Sequence, residues 1–327
     1  MNAPRTFSRR EFLATSAAAL VATRFAQAAT APAEPIIDIH QHVNYGGIRD
    51  KDFNEIMPGR TNDQLLAHQR AMGVTKSILL PAGRPVKRPS TLNGFAMGLQ
   101  GTCATNADCM ALAQNNPREF TFGAAEVPDL ADAPAEIEKY LKSGAVVIGE
   151  QKFSVACDSA EMQKLYQLAE AYNVPILMHW QVGSYSHGLD RFHTMLKKYP
   201  KVNFIGHAQT WWANIDQACD NSEQNLYPTG KVTPGGWSDR DLSDYPNMFG
   251  DLSAGSGENA FKRDPEHAKA FISRHQDKLL FGSDCTDYPG QGRCIGAAQI
   301  AQMRAWSPSK AVERKILFEN AQKLFRF

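Results

Sequence analysis

Ile36-Ile37-Asp38-Ile39-His40-Gln41-His42 is a run of β-branched residues that ends in two histidines one residue apart. β-Branched side chains favour an extended strand, and the two-residue repeat of a strand sends both imidazoles to one face. Two neutral nitrogen donors held close together suit zinc, iron or manganese. Alone the pair is weak, because nine histidines in 327 residues produce this spacing about 0.25 times by chance. The rest of the chain has to supply the context.

Outward from this stretch, short apolar runs alternate with longer amphipathic ones. Besides Ile36–His42, strands are expected over Val74–Pro81, Phe120–Val127, Ala145–Phe153, Pro175–Trp180, Val202–Ala208, Met248–Ala254 and Leu279–Cys285. Met162, Leu165, Tyr166, Ala169 and Tyr172, and then Leu189, Phe192, Leu196 and Tyr199, have the spacing of apolar helical faces. Asp158 with Glu161 reads as a capping pair for the first of these helices. Eight strands, each followed by a helix, predict an α/β fold of (β/α)8 TIM-barrel type. An open doubly wound sheet with a cap domain is the runner-up, but Gly46-Gly47 after the first strand does not make its Gly-rich phosphate turn.

With 43% hydrophobic and 21% charged residues the chain is globular, and Lys plus Arg 35 against Asp plus Glu 34 gives no indication of a nucleic-acid or anionic-membrane partner. Ser8-Arg9-Arg10-Glu11-Phe12-Leu13, the small apolar run 14–22 and Ala26-Gln27-Ala28 resemble a twin-arginine (Tat) export signal with a cleavage site. Residues 1–28 are therefore expected to be the signal and 29–327 the barrel domain, exported through the Tat machinery to the periplasm or beyond. Removing the signal leaves 31 basic and 33 acidic residues, formally −2. No stretch is long enough for a stable membrane span. The six cysteines form no CxxC pair, although Cys103 with Cys109, or Cys285 with Cys294, could close a short disulfide loop. Residues 221–246 read as an irregular insertion after the sixth strand, lying over the site.

His179 ends the fifth expected strand, His207 the sixth and Asp284 the eighth. In a barrel those strand ends converge on one mouth, so His40, His42, His179, His207 and Asp284 would meet although they are far apart in the chain.

This pattern resembles the amidohydrolase superfamily, and within it the amidohydrolase-related group that includes aminocarboxymuconate semialdehyde decarboxylase, resorcylate decarboxylases and pyrone-dicarboxylate lactonase. The resemblance runs from Ile36 to Phe327. It implies that His40, His42, His179 and Asp284 bind a divalent metal, Zn2+ first with Mn2+ or Fe2+ as alternatives, and that His207 is the catalytic histidine beside it. Such an ion lowers the pKa of a bound water while Asp284 and His207 move its proton. Glu150 and Lys152, on one strand face, are either a bridge between two metals, a buried ion pair, or, for the lysine, an anchor for a substrate carboxylate; one ion is favoured over two. Arg84 and Arg293 are possible substrate clamps. His187, His68, His193, His267 and His275 read as surface or packed residues. Trp180, Trp211 and Trp212 either wall a pocket or pack in the core. Ser283 lacks the setting of a nucleophile elbow.

The expected activity is metal-dependent hydrolysis of an ester, lactone or amide carbonyl in a small-molecule substrate. The alternative is nonoxidative decarboxylation of an aromatic or muconate-like acid, and an exported, catalytically silent binding protein is a third reading. A homo-oligomer is compatible with all three.

Overall fold

The computed structural model describes residues 34–91 and 98–327, so the expected export signal over residues 1–28 lies outside the described residues. All eight expected strands are present, each shorter than its apolar run: β1 (Ile37–Gln41), β2 (Lys76–Leu79), β3 (Phe120–Phe122), β4 (Ile148–Gln151), β5 (Ile176–His179), β6 (Phe204–His207), β7 (Met248–Asp251) and β8 (Leu279–Leu280). They pair in parallel as one sheet of β1, β2 and β3 and another running from β4 to β8. A parallel bridge between Ala124 and Ile148 joins the sheets on one side. On the other, the Ile39 N–H donates to the Phe281 carbonyl at 3.1 Å, which closes the ring.

The strands separate two apolar regions. Ile37, Ile39, Ile78, Leu80, Val147, Leu177, Ile205 and Leu280 pack with one another inside the ring, joined by Ala321, Leu324 and Phe325 of the C-terminal helix. Leu79, Phe120, Ile148, Ile176, Met178 and Phe204 instead face the surrounding helices. This alternation is what a closed sheet covered by helices requires.

The helix Ala160–Tyr172 shows how one such cover forms. Met162, Leu165, Tyr166 and Ala169 make its buried face, and it ends at Asn173 in the left-handed conformation, φ 52°. Its cap differs from the sequence expectation: the Ser159 hydroxyl accepts from the Met162 N–H at 3.2 Å, whereas Asp158 pairs with Arg191 at 2.8 and 2.9 Å. Serine reaches the helix N–H groups from the position immediately before them, and Asp158 lies one residue too early.

Two further expectations are corrected. All six cysteines are free, so neither short disulfide forms. Residues 221–246 are not wholly irregular, since they contain a 3-10 turn, Glu223–Asn225, and a helix, Trp237–Asp244. Tyr227 in this segment accepts from Gln209 Nε2 at 3.3 Å and approaches Gly255, which places it beside the helices Gln209–Ala213 and Ala254–Lys262 that follow β6 and β7.

Candidate metal centre

The expected cluster assembles at the C-terminal ends of the strands. His179 and His207 are register partners across β5 and β6, two residues beyond Leu177 and Ile205 of the apolar interior. Asp284 follows β8 in the left-handed region, φ 41°, where its N–H is held by the His40 carbonyl at 2.9 Å. Two irregularities bring in the remaining groups. Register shifts between Asp38 and Gln41 in β1 and between Ile148 and Gln151 in β4 allow His40, His42 and Glu150 to reach the cluster although Ile39, adjacent to His40, also packs inside the ring. Re-aiming a side chain beside a site is a common use of such bulges.

His40 and His42 are fully buried, and their outer nitrogens are committed. His40 Nδ1 lies 2.7 Å from Asp251 Oδ2, and His42 Nδ1 lies 2.7 Å from the Leu80 carbonyl. Both partners can only accept, so each Nδ1 carries the proton, and with a cation in the site each ring is neutral and turns a bare Nε2 inward. Those two nitrogens are 3.1 Å apart. Glu150 Oε2 lies 3.3 Å from both, and Asp284 Oδ1 lies 3.7 and 3.5 Å from them. Lone pairs meet lone pairs across these gaps unless a cation lies between. A tetrahedral ion with nitrogen and oxygen ligands at 2.0–2.2 Å has ligand-to-ligand edges of about 3.4 Å, which these nitrogen-to-nitrogen and nitrogen-to-oxygen spacings match.

Two orphaned atoms fit the same reading. Asp284 Oδ1 and His207 Nε2 are buried without a hydrogen-bond partner. Burial alone would depress the His40 imidazole, yet Asp284, Glu150 and Asp251 raise it to about 10. Burial likewise opposes ionisation of Asp284, but His40, His207 and His42 hold its carboxyl well below the usual range. The carboxylates thus call for positive charge, which a divalent cation supplies without protonating an imidazole.

His179 meets the cluster through Glu150. Its Nδ1 is 2.5 Å from Glu150 Oε1 and its Nε2 is 3.4 Å from Gln181 Oε1. Of the expected ligands, His40, His42 and Asp284 come together directly, while His179 reaches them through Glu150. Burial, with Lys152 adding to it, pushes the His179 imidazole down to about 4, so the ring stays neutral. Of the alternatives open for Glu150 and Lys152, the ion pair does not form: the ion-pair partners of Glu150 are the four histidines, and the Lys152 ammonium lies over the Tyr185 ring, 5.6 Å from its centroid.

His207 is held from behind. Its Nδ1 is 3.0 Å from Ser253 Oγ and 3.3 Å from Asp251 Oδ2, leaving Nε2 3.4 Å from Asp284 Oδ2. Trp211 packs against Gly206, the residue before His207, where a methyl group would come within 2.3 Å of the indole. Trp180, Trp211 and Trp212 are all buried; Trp180 packs on Phe192, Trp212 on Phe261, and the Trp212 indole donates to the Asp251 carbonyl at 2.8 Å. They are core residues, one of which positions the site.

The expected arginine clamps are otherwise engaged. Arg84 pairs with Glu126 at 2.6 Å and Asp132 at 2.7 Å, and Arg293 is 58% exposed and paired with Glu258. Asp251 and Ser253 were missed in the sequence, although Gly250-Asp251 places a carboxylate at the end of the seventh strand just as Ser283-Asp284 does at the eighth.

A family comparison matches residues 37–327 to the Amidohydrolase family. No curated protein matches in sequence. Among solved structures, an uncharacterized TIM-barrel protein from Bordetella bronchiseptica is similar over 89% of this chain and 98% of its own, at 16% identity and a TM-score of 0.58. A 2,6-dihydroxybenzoate decarboxylase from Rhizobium gives 15% identity and a TM-score of 0.55 over 90% and 99% of the two chains. A "probable 2-pyrone-4,6-dicarboxylic acid hydrolase" from Acinetobacter baumannii gives 14% and 0.57 over 89% and 99%. At these identities the structural likeness is one of fold, whereas the family match spans nearly all of the described barrel. The chain belongs to the amidohydrolase family and is a TIM-barrel member of it.

Proposed function

We propose that this amidohydrolase is a divalent-metal-dependent hydrolase acting on an ester, lactone or amide carbonyl of a small organic substrate. One observation carries the reading: Asp284 points Oδ1 at the two bare imidazole nitrogens and Oδ2 at His207, so one carboxylate touches both the cation position and a proton carrier. Zn2+ suits this nitrogen and oxygen donor set, with Mn2+ or Fe2+ as alternatives. His40, His42 and Asp284 would hold one ion, with Glu150 as the fourth ligand or His179 after displacing it. When bound, the ion supplies Lewis acidity, lowering the pKa of a water molecule and polarising a carbonyl. Asp284 Oδ2 takes the proton from the attacking water and passes it to His207 Nε2, and His207 delivers it to the leaving group. Asp251 and Ser253 keep the His207 ring turned for that transfer. Lys152 offers a cation to a substrate carboxylate.

Nonoxidative decarboxylation is the second reading. It is favoured by Lys152, which could hold an acid against the cluster, and by the presence of decarboxylases among the structural neighbours. A substrate panel of lactones and esters against hydroxybenzoates separates the two. Hydrolysis that is lost in His207→Asn is expected, and release of carbon dioxide without hydrolysis would overturn the choice. We also propose that residues 1–28 are a Tat signal that exports the enzyme to the periplasm or beyond. Lysine at both Arg9 and Arg10 should then retain the full chain in the cytoplasm, as measured by cell fractionation.

A further inference from the structure

A second group of metal-ligating side chains lies around Gln41, the residue between the two inner histidines. His68, on the helix Asn62–Met72, is 3% exposed. Its Nε2 lies 3.2 Å from Cys285 Sγ and 3.8 Å from Cys294 Sγ. A carboxylate oxygen of Asp287, the Cys294 sulfur and a His68 ring nitrogen all lie within 4.8 Å of one another. These residues come from two separate stretches of chain, and none of them belongs to the centre described above.

The surroundings of Cys294 favour a thiolate, whereas a hydrogen bond with Cys294 and burial push the Cys285 thiol up. Cys294 Sγ accepts from the Ala297 N–H at 3.3 Å at the start of the helix Ile295–Trp306. Cys285 Sγ accepts from Gln41 Nε2 at 3.5 Å. The guanidinium of Arg60, 5% exposed, donates to the Asp287 carbonyl at 2.6 Å and to Gln41 Oε1, and its buried Nε has no hydrogen-bond partner. A backbone N–H at the start of a helix favours the Cys294 sulfur in its anionic form, and zinc binding itself drives the proton off a coordinating thiol. Zinc with nitrogen at about 2.0 Å and sulfur at about 2.3 Å has a nitrogen-to-sulfur edge of about 3.5 Å, and the two observed spacings bracket it.

We propose that His68, Cys285 and Cys294, with Asp287 as the fourth ligand, form a second, thiolate-rich zinc site. Binding displaces the two thiol protons into solvent and involves no change of oxidation state. Cys285 follows Asp284 directly and Gln41 separates His40 from His42, so the ion clamps the outer side of the segments whose inner side carries the catalytic cluster.

The test is titration of the reduced, metal-depleted full-length protein with Co2+, followed by competition with Zn2+. A thiolate-to-cobalt charge-transfer band is expected, saturating by two equivalents because the inner cluster takes up one, and absent in His68→Ala and Cys294→Ala. In the conservative Cys294→Ser, zinc affinity at this site should fall by more than the roughly 10–100-fold that loss of an outer partner costs. Zinc should also protect Cys294 from alkylation until a chelator is added. Absence of the band in the folded wild type, its persistence in both alanine variants, or alkylation unaffected by zinc would each overturn the site.

Discussion

Two layers of the same barrel, separated by one strand repeat, are built on opposite principles. Leu177, Ile205 and Leu280 fill the interior with apolar contacts. His179 and His207, two residues further along β5 and β6, and Asp284 beyond β8 form a polar layer in which His207 Nε2 and Asp284 Oδ1 are buried without hydrogen-bond partners. Orphaned buried polar atoms are costly, so the upper layer is held in place by the lower one and by the outer bonds of its own rings. Its arrangement makes physical sense around a cation. The lower layer should therefore govern stability and the upper one chemistry.

The largest expected effect on that contrast is at His207. Replacement by asparagine should lower turnover by about 10²–10⁴-fold, the usual worth of a positioned acid or base, while leaving the unfolding midpoint and metal content near those of the wild type. A large drop in stability instead would make the ring a packing element. Leu177→Ala should show the opposite profile, losing about 2–5 kcal/mol in urea unfolding while retaining the metal in the folded fraction. Loss of metal from the folded protein would mean that the layers are not separable. Between the two stands Asp251, which holds His40 at 2.7 Å and faces His207. Asp251→Asn should weaken metal binding by about 10–100-fold, measured by competition with a chromogenic chelator, and unchanged affinity would remove its assigned role.

The lower layer was legible in the sequence because parallel strands buried on both faces leave continuous apolar runs. The site was legible in part. His40, His42, His207 and Asp284 could be found because each stands at or just beyond the end of such a run, and barrel geometry gathers those ends. The direct contact of Glu150 with all four histidines could not, because it depends on register shifts in β1 and β4 that no periodicity announces. Arg84 and Arg293 looked available in the sequence, but their carboxylate partners come from other loops. The Ser159 cap was a matter of one residue, beyond what spacing resolves. His68 carried no signal by itself, since its two cysteine neighbours lie more than two hundred residues away in the chain.

The central claim is that the inner cluster is a metal centre. Its most direct test is elemental analysis of the protein purified without chelator in the Cys294→Ala background, which removes the second site from the count, with and without His40→Ala and His42→Ala. The expected result is one equivalent of a divalent transition metal per folded chain, lost when the two histidines are replaced. A folded, metal-free protein in the parent background, or an equivalent that survives their replacement, would contradict the account.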